Sequence, residues 1–135
     1  MNLQEFEYVD LIEGYLNGQF REWLGLKTRI FLKLNPKIAP YKAAVFPLLG
    51  NKPELIEKAK GIYEDLKQDM MIAWDDRGNI GKRYASQDEI GTPFCITVDF
   101  DSLEDEAVTV RNRDTATQER VKTSELKSYL LEKMT

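Results

Sequence analysis

Residues 43–74 read AAVFPLLGNKPELIEKAKGIYEDLKQDMMIAW. The opening AAVFPLL is a continuous apolar run of strand length, the pattern of a strand covered on both faces. Pro53 then stands near the first helical position, where its missing N–H costs nothing, and Leu55, Ile56, Ala59, Ile62, Tyr63 and Leu66 recur on one helical face. MMIAW, at 70–74, is a second short apolar strand. A strand, a crossover helix and a strand in this order predict parallel pairing, with helices flanking the sheet.

Working outward, DDRGN (75–79) is a turn and IGKRYASQDEIG (80–91) a helix stopped by Gly91, which suits the left-handed position after a last turn. In TPFCITVDF (92–100) and EAVTVRNRD (106–114) apolar and polar residues alternate, as in two strands of an antiparallel hairpin. A short strand follows near 119–122. TSELKSYLLEKM (123–134) is then a closing helix with Thr123 as N-cap and Leu126, Tyr129, Leu130 and Met134 inward. Upstream, Pro36 and Pro40 mark a connector, which divides the chain into a 1–40 helix and linker and a 41–135 domain. Leu3, Phe6, Leu11, Ile12, Tyr15 and Leu16 give the first segment its weak helical spacing.

Composition narrows the function. The chain has 135 residues, 42% hydrophobic and 31% charged, which suits one globular domain and neither a disordered tract nor a membrane protein. A net charge of -4 argues against nucleic-acid binding by bulk charge, so any RNA contact must be local. The sequence has no histidine and one cysteine, which removes disulfides, imidazole bases and histidine metal sites. The acidic N-terminus lacks a basic region and a long apolar run, so no signal or membrane segment is expected and the chain reads as cytoplasmic.

Local motifs add further exclusions. GNIGKR (78–83) has two residues between its glycines where a phosphate loop needs four. DFDSLEDE (99–106) puts Leu103 where a calcium loop needs an oxygen, and reads as a turn capped by Asp101 or Ser102. Cys95, between Phe94 and Ile96, reads as a packed strand thiol.

The helix at 80–90 is the anomaly. Lys82 and Arg83 stand at its positive end and Asp88 and Glu89 at its negative end, the reverse of what the macrodipole favours. A bound phosphate at the first turn would relieve one end, with Gly81 permitting close approach. Asp88 and Glu89 are acceptors of the kind that read the exocyclic amine of cytosine, and Tyr84 is available to stack on a base. Arg111 and Arg113, two apart on one strand, lie about 6.8 Å from each other on one face. They form either a solvated face paired with carboxylates such as Asp99 or a surface turned to RNA.

The same residues carry a resemblance. KLNPKIAPYKAAVFPLLGNKPELIEKAKGIYEDLK, AWDDRGNIGKRY, QDEIGTPFCITVDFDSLED and VTVRNRDT together resemble the C-terminal anticodon-binding domain of dimeric-type glycyl-tRNA synthetases, from about Arg29 onward. The resemblance implies an α/β fold with a mixed five-stranded sheet flanked by helices. It also implies a glycine tRNA as partner, a homodimeric parent synthetase, and no role for DNA or a membrane. It implies RNA-binding roles for Arg83, Tyr84, Asp88, Glu89, Arg111 and Arg113, and with Lys82 and Gln87 these make up the expected RNA-binding set. Ala85 and Ser86 stand where the family has further basic residues, and Asn112 where it has an aspartate. The catalytic signatures of class II synthetases are absent, so no catalytic residue, metal or cofactor is assigned to this chain; ATP and magnesium would belong to a separate catalytic domain. A non-catalytic accessory module that keeps the fold without binding RNA is the alternative reading.

Overall fold

A computed structural model describes residues 31–134. The expected N-terminal helix and most of the 1–40 segment lie outside the described residues. The described chain forms β1 (Ala43–Pro47), α1 (Pro53–Leu66), β2 (Ile72–Trp74), α2 (Ile80–Ile90) and β3 (Phe94–Val98). α3 (Ser102–Asp105), β4 (Ala107–Asn112), β5 (Gln118–Lys122) and α4 (Thr123–Lys133) complete it. The strands make one sheet in the order β2-β1-β3-β4-β5. β1 pairs parallel with both β2 and β3, while β3–β4 and β4–β5 are antiparallel. The sheet is therefore mixed, as the family resemblance implies: crossover helices return the first three strands in one direction, and short connections reverse the last two.

Alternation along the strands gives the sheet two unequal interiors. Val45, Ile96, Val98, Val108, Val110 and Val121 point to one side, where Ala59 and Leu66 of α1 and Leu126 and Leu130 of α4 close over them. Ala44, Phe46 and Cys95 point to the other, against Ile80 and Tyr84 of α2. Both faces of β1 and β3 are thus covered, which is why their sequences are continuously apolar or small and every one of their residues is buried. Burying a Val or Leu of this kind is worth about 1.5–3 kcal/mol, so the larger cluster supplies most of the stability.

Local signals account for the element ends. Pro53 occupies the first turn of α1, and Asn79 caps α2 by accepting a hydrogen bond from Lys82 N at 2.9 Å. Gly91 ends α2 with φ 84°; an added Cβ there would also come within 2.8 Å of the Leu34 side chain. Two capping expectations are corrected. Thr123 lies inside α4, with Lys122 in the cap position, and its hydroxyl donates instead to Glu106 O. The turn before β4 is capped by Asp99, whose Oδ1 accepts from both N and Oγ of Ser102 at 3.0 Å. The residues before β1 pack back against the C-terminal end of α2: Leu34 is buried beside Gly91, and Leu32 N donates to Asp88 O at 2.8 Å.

Candidate nucleic-acid interface

α2 carries six of the eight residues singled out from the sequence, and its packing decides which of them face solvent. Arg83 is 2% exposed. Its Nη1 donates to Pro47 O at 2.6 Å and its Nη2 to Leu48 O at 2.9 Å, with longer contacts to Asp75 O and Gly78 O. The guanidinium also lies 5.5 Å from the Phe46 ring centroid. It ties the loop after β1 to the loop after β2, beneath the first turn of α2. Burial pulls its pKa below the usual guanidinium value, with the charges of Asp75 and Asp76 opposing that shift.

The far end of α2 is held from β4 and the turn after it. Arg111 makes a two-pronged ion pair with Asp88, Nη1 to Oδ1 at 2.9 Å and Nη2 to Oδ2 at 3.1 Å, with both side chains buried. The same guanidinium stacks 4.8 Å from the centroid of Tyr84. Burial alone would lower the pKa of Arg111, but the hydrogen bonds and charge of Asp88 outweigh it and hold the group above its ordinary value. Arg113 lies one residue beyond β4 and donates to Gly91 O at 2.7 Å and Leu34 O at 2.6 Å.

These contacts resolve the reversed charges on α2. The negative end of the helix receives two cations from elsewhere in the chain, Arg111 and Arg113, so the acidic last turn is compensated within the fold. At the positive end, the Arg83 guanidinium reaches past the helix to carbonyl groups. A bound phosphate is not required to explain either end.

Several expectations about presentation change accordingly. Arg83, Gln87, Asp88, Arg111 and Arg113 are turned to partners inside the domain rather than to solvent. Arg111 and Arg113 do not line one open strand face, and Asp99 pairs with Arg120 rather than with either of them. Gln87 accepts from Thr92 Oγ1 at 2.6 Å. Tyr84 is half-buried: its hydroxyl meets Thr97 Oγ1 at 2.7 Å and its ring meets the Phe46 edge, so one face of the expected stacking platform is already occupied by Arg111. Of the eight, only Lys82 and Glu89 are exposed. They mark the two ends of the outward side of α2.

Sequence reasoning did not single out Arg120. It bridges Asp99 at 2.8 Å and Asp105 at 2.9 Å, joining two carboxylates of the acidic run to the edge strand. Alternation on β5 was the available signal, since Arg120 falls opposite Thr109 on the polar side. Cys95 is 2% exposed, and burial pushes its thiol up to about 12, which fits packing and not nucleophilic chemistry. Among the described residues no helix is long and apolar enough to cross a membrane.

Residues 42–133 match the family model described as "Anticodon binding domain". The chain belongs to this anticodon-binding-domain family. Named proteins similar to it are glycine–tRNA ligases. The Streptomyces coelicolor enzyme is 50% identical over 92% of this chain and 27% of its own length. The Clostridium acetobutylicum enzyme is 57% identical over 92% of the chain and 26% of its own, and the Borreliella afzelii enzyme 56% identical over 76% and 23%. The chain thus spans about a quarter of the length of the curated relatives it matches. Within the anticodon-binding domain, the clamp formed by Arg83, Asp88, Arg111 and Arg113 fixes α2 against the sheet, and the exposed side of α2 becomes the candidate surface for RNA.

Proposed function

We propose that this anticodon-binding domain receives the anticodon loop of a glycine tRNA along the exposed side of α2. What carries the reading is the likeness over most of the chain to glycine–tRNA ligases, at 50% identity or more. Lys82, beside the first turn, meets a backbone phosphate, and Glu89, beside the last, accepts from the exocyclic amine of a cytosine. Tyr84, Gln87 and the buried arginines hold that surface in register. Glycine attachment, with its ATP and magnesium, belongs in this reading to a catalytic region of a homodimeric parent ligase.

Binding of a glycine-tRNA anticodon stem-loop to the 135-residue chain tests the proposal. Affinity is expected to be modest and to fall only gradually with salt, since few phosphates are neutralised. Lys82→Ala should weaken every loop about equally. Glu89→Gln replaces one acceptor with a donor, so it should penalise cytosine-containing loops by about 1–3 kcal/mol relative to substituted ones. Absence of binding at low salt, or equal binding of an unrelated loop, would favour a protein-interaction module, a reading that the net charge of -4 supports.

A further inference from the structure

The sheet face opposite α2 carries a groove that the RNA reading does not use. It has a volume of about 680 Å³ and runs between α1 and α4, with α3 at one end. Ile62, Leu66, Leu103 and Leu126 supply its apolar surface. Leu103 is 37% exposed, so part of this apolar surface is open to solvent.

Two observations indicate what fits there. The first is Gly61, which lines the groove from the middle of α1. A glycine inside a helix costs helix stability relative to any ordinary residue. Among the described residues nothing requires it, because an added Cβ would meet no heavy atom of theirs within 4 Å. A bare backbone facing an open apolar trough suits the close approach of something from outside. The second is charge. Glu54, Glu57 and Asp65 stand around the groove, whereas its one cation among the described residues, Lys58, is engaged by Glu106. Lys127 offsets Asp65 at 3.5 Å, but Glu54 and Glu57 have no basic partner within 4 Å among the described residues.

We propose that this groove docks a basic amphipathic helix of a partner protein, apolar side chains against Ile62 and Leu103, backbone against Gly61, and Lys or Arg toward Glu54 and Glu57. A trough between two helices is the geometry that accepts a third. A second copy of this chain is disfavoured by its net charge of -4, and the chain's own first 20 residues by having Glu5, Glu7, Asp10 and Glu13 and no Lys or Arg. The inference stands independently of RNA binding, since α1 and α2 cover opposite faces of the sheet.

The test is a titration of the isotopically labelled chain with a designed helical peptide bearing Leu at i, i+3, i+4 and i+7 and Lys elsewhere. A matched peptide with Glu in place of Lys is the control. Amide shifts are expected along α1, at Leu103 and over Thr123–Leu126, for the basic peptide alone. Gly61→Gln fills the trough and Glu57→Lys reverses its charge; each should weaken the peptide about tenfold or more. Gly61→Gln should melt no lower than wild type and should leave stem-loop binding unaltered. Equal binding of the acidic peptide, shifts located elsewhere, or indifference to Gly61→Gln would overturn the proposal. So would concentration-dependent groove shifts without peptide, which would assign the surface to a second copy. Groove shifts caused by Phe6→Ala without peptide would assign it to the chain's own N-terminal segment.

Discussion

Arg83 and Arg111 are the same residue type, both buried, both beside α2, and they are neutralised in opposite ways. Arg111 meets a full charge, the Asp88 carboxylate, in fork geometry. Arg83 meets main-chain dipoles, with no carboxylate within 4 Å among the described residues and its Nε buried without a hydrogen-bond partner. Their pKa values move apart as a result, Arg111 upward and Arg83 downward. The difference shows what each end of the helix needs. One end must cancel an acidic last turn, and the other must hold two loops together by their carbonyls.

Breaking the charged end should cost most. Arg111→Met leaves Asp88 buried without its fork partner and is expected to destabilise the domain by about 3–5 kcal/mol in denaturant melts. Adding Asp88→Leu to that variant should recover most of the loss, since removing both charges also removes the desolvation burden. If the double variant is no more stable than the single, the pair is doing more than cancelling itself.

The dipolar end should behave differently. Arg83→Met strands carbonyl acceptors at Pro47 and Leu48 and is expected to cost about 2–3 kcal/mol. Arg83→Lys should not restore it, because one ammonium cannot span acceptors that a planar fork reaches together. A full rescue by lysine would mean that charge alone matters there.

Cys95 sits opposite Arg111 in the strand register and offers a pH test of the same interior. Its thiol is pushed up to about 12 by burial, while in the unfolded chain it releases its proton near the ordinary value. Between those limits the folded state binds more protons, so stability should fall as pH rises through the window. Cys95→Ala should flatten that slope. The remaining alkaline slope is shared by Tyr84 and Tyr129, both raised chiefly by burial, and by Lys67 and Lys127, raised chiefly by hydrogen bonds to Glu64 and Asp69.

The smallest effect is expected at the exposed counterpart, Arg120 with Asp105. The hydrogen bond from Arg120 holds the Asp105 carboxyl below its usual range. Its contribution is therefore fully present above the unfolded carboxylate pKa and is lost as pH falls through the depressed folded value. Asp105→Asn should lower neutral stability by a small, salt-sensitive amount and flatten the acid-side slope, with the two proteins converging at low pH in thermal melts.

The fold was largely legible because periodicity reports burial. A continuous apolar run marked β1, alternation marked β3 and β4, the face from Leu55 to Leu66 marked α1, and Gly91 marked the end of α2. The site was less legible, because a charge pattern on a helix carries no information about distant partners. Arg83 finds its carbonyls 35 and 36 residues away, and Arg113 finds Leu34 O at a separation of 79. The long side chains of arginine let a position that looks external by spacing place its charge inside. Lys82 and Glu89, whose exposure does follow helical spacing, are the two of the eight that the fold leaves turned to solvent.

The internal position of β1, between β2 and β3, has a consequence for how the domain is made. β1 leaves the ribosome before either of its neighbours, and its second partner, β3, follows about 50 residues later. Through that interval a strand destined for complete burial has an unfilled edge, which makes it the segment most in need of protection during synthesis. β3, β4 and β5 are joined by short connections and can zip locally, so they form the natural template onto which β1 and then β2 dock. Pulsed hydrogen exchange during refolding should accordingly find amides of β4 and β5 protected before those of β2.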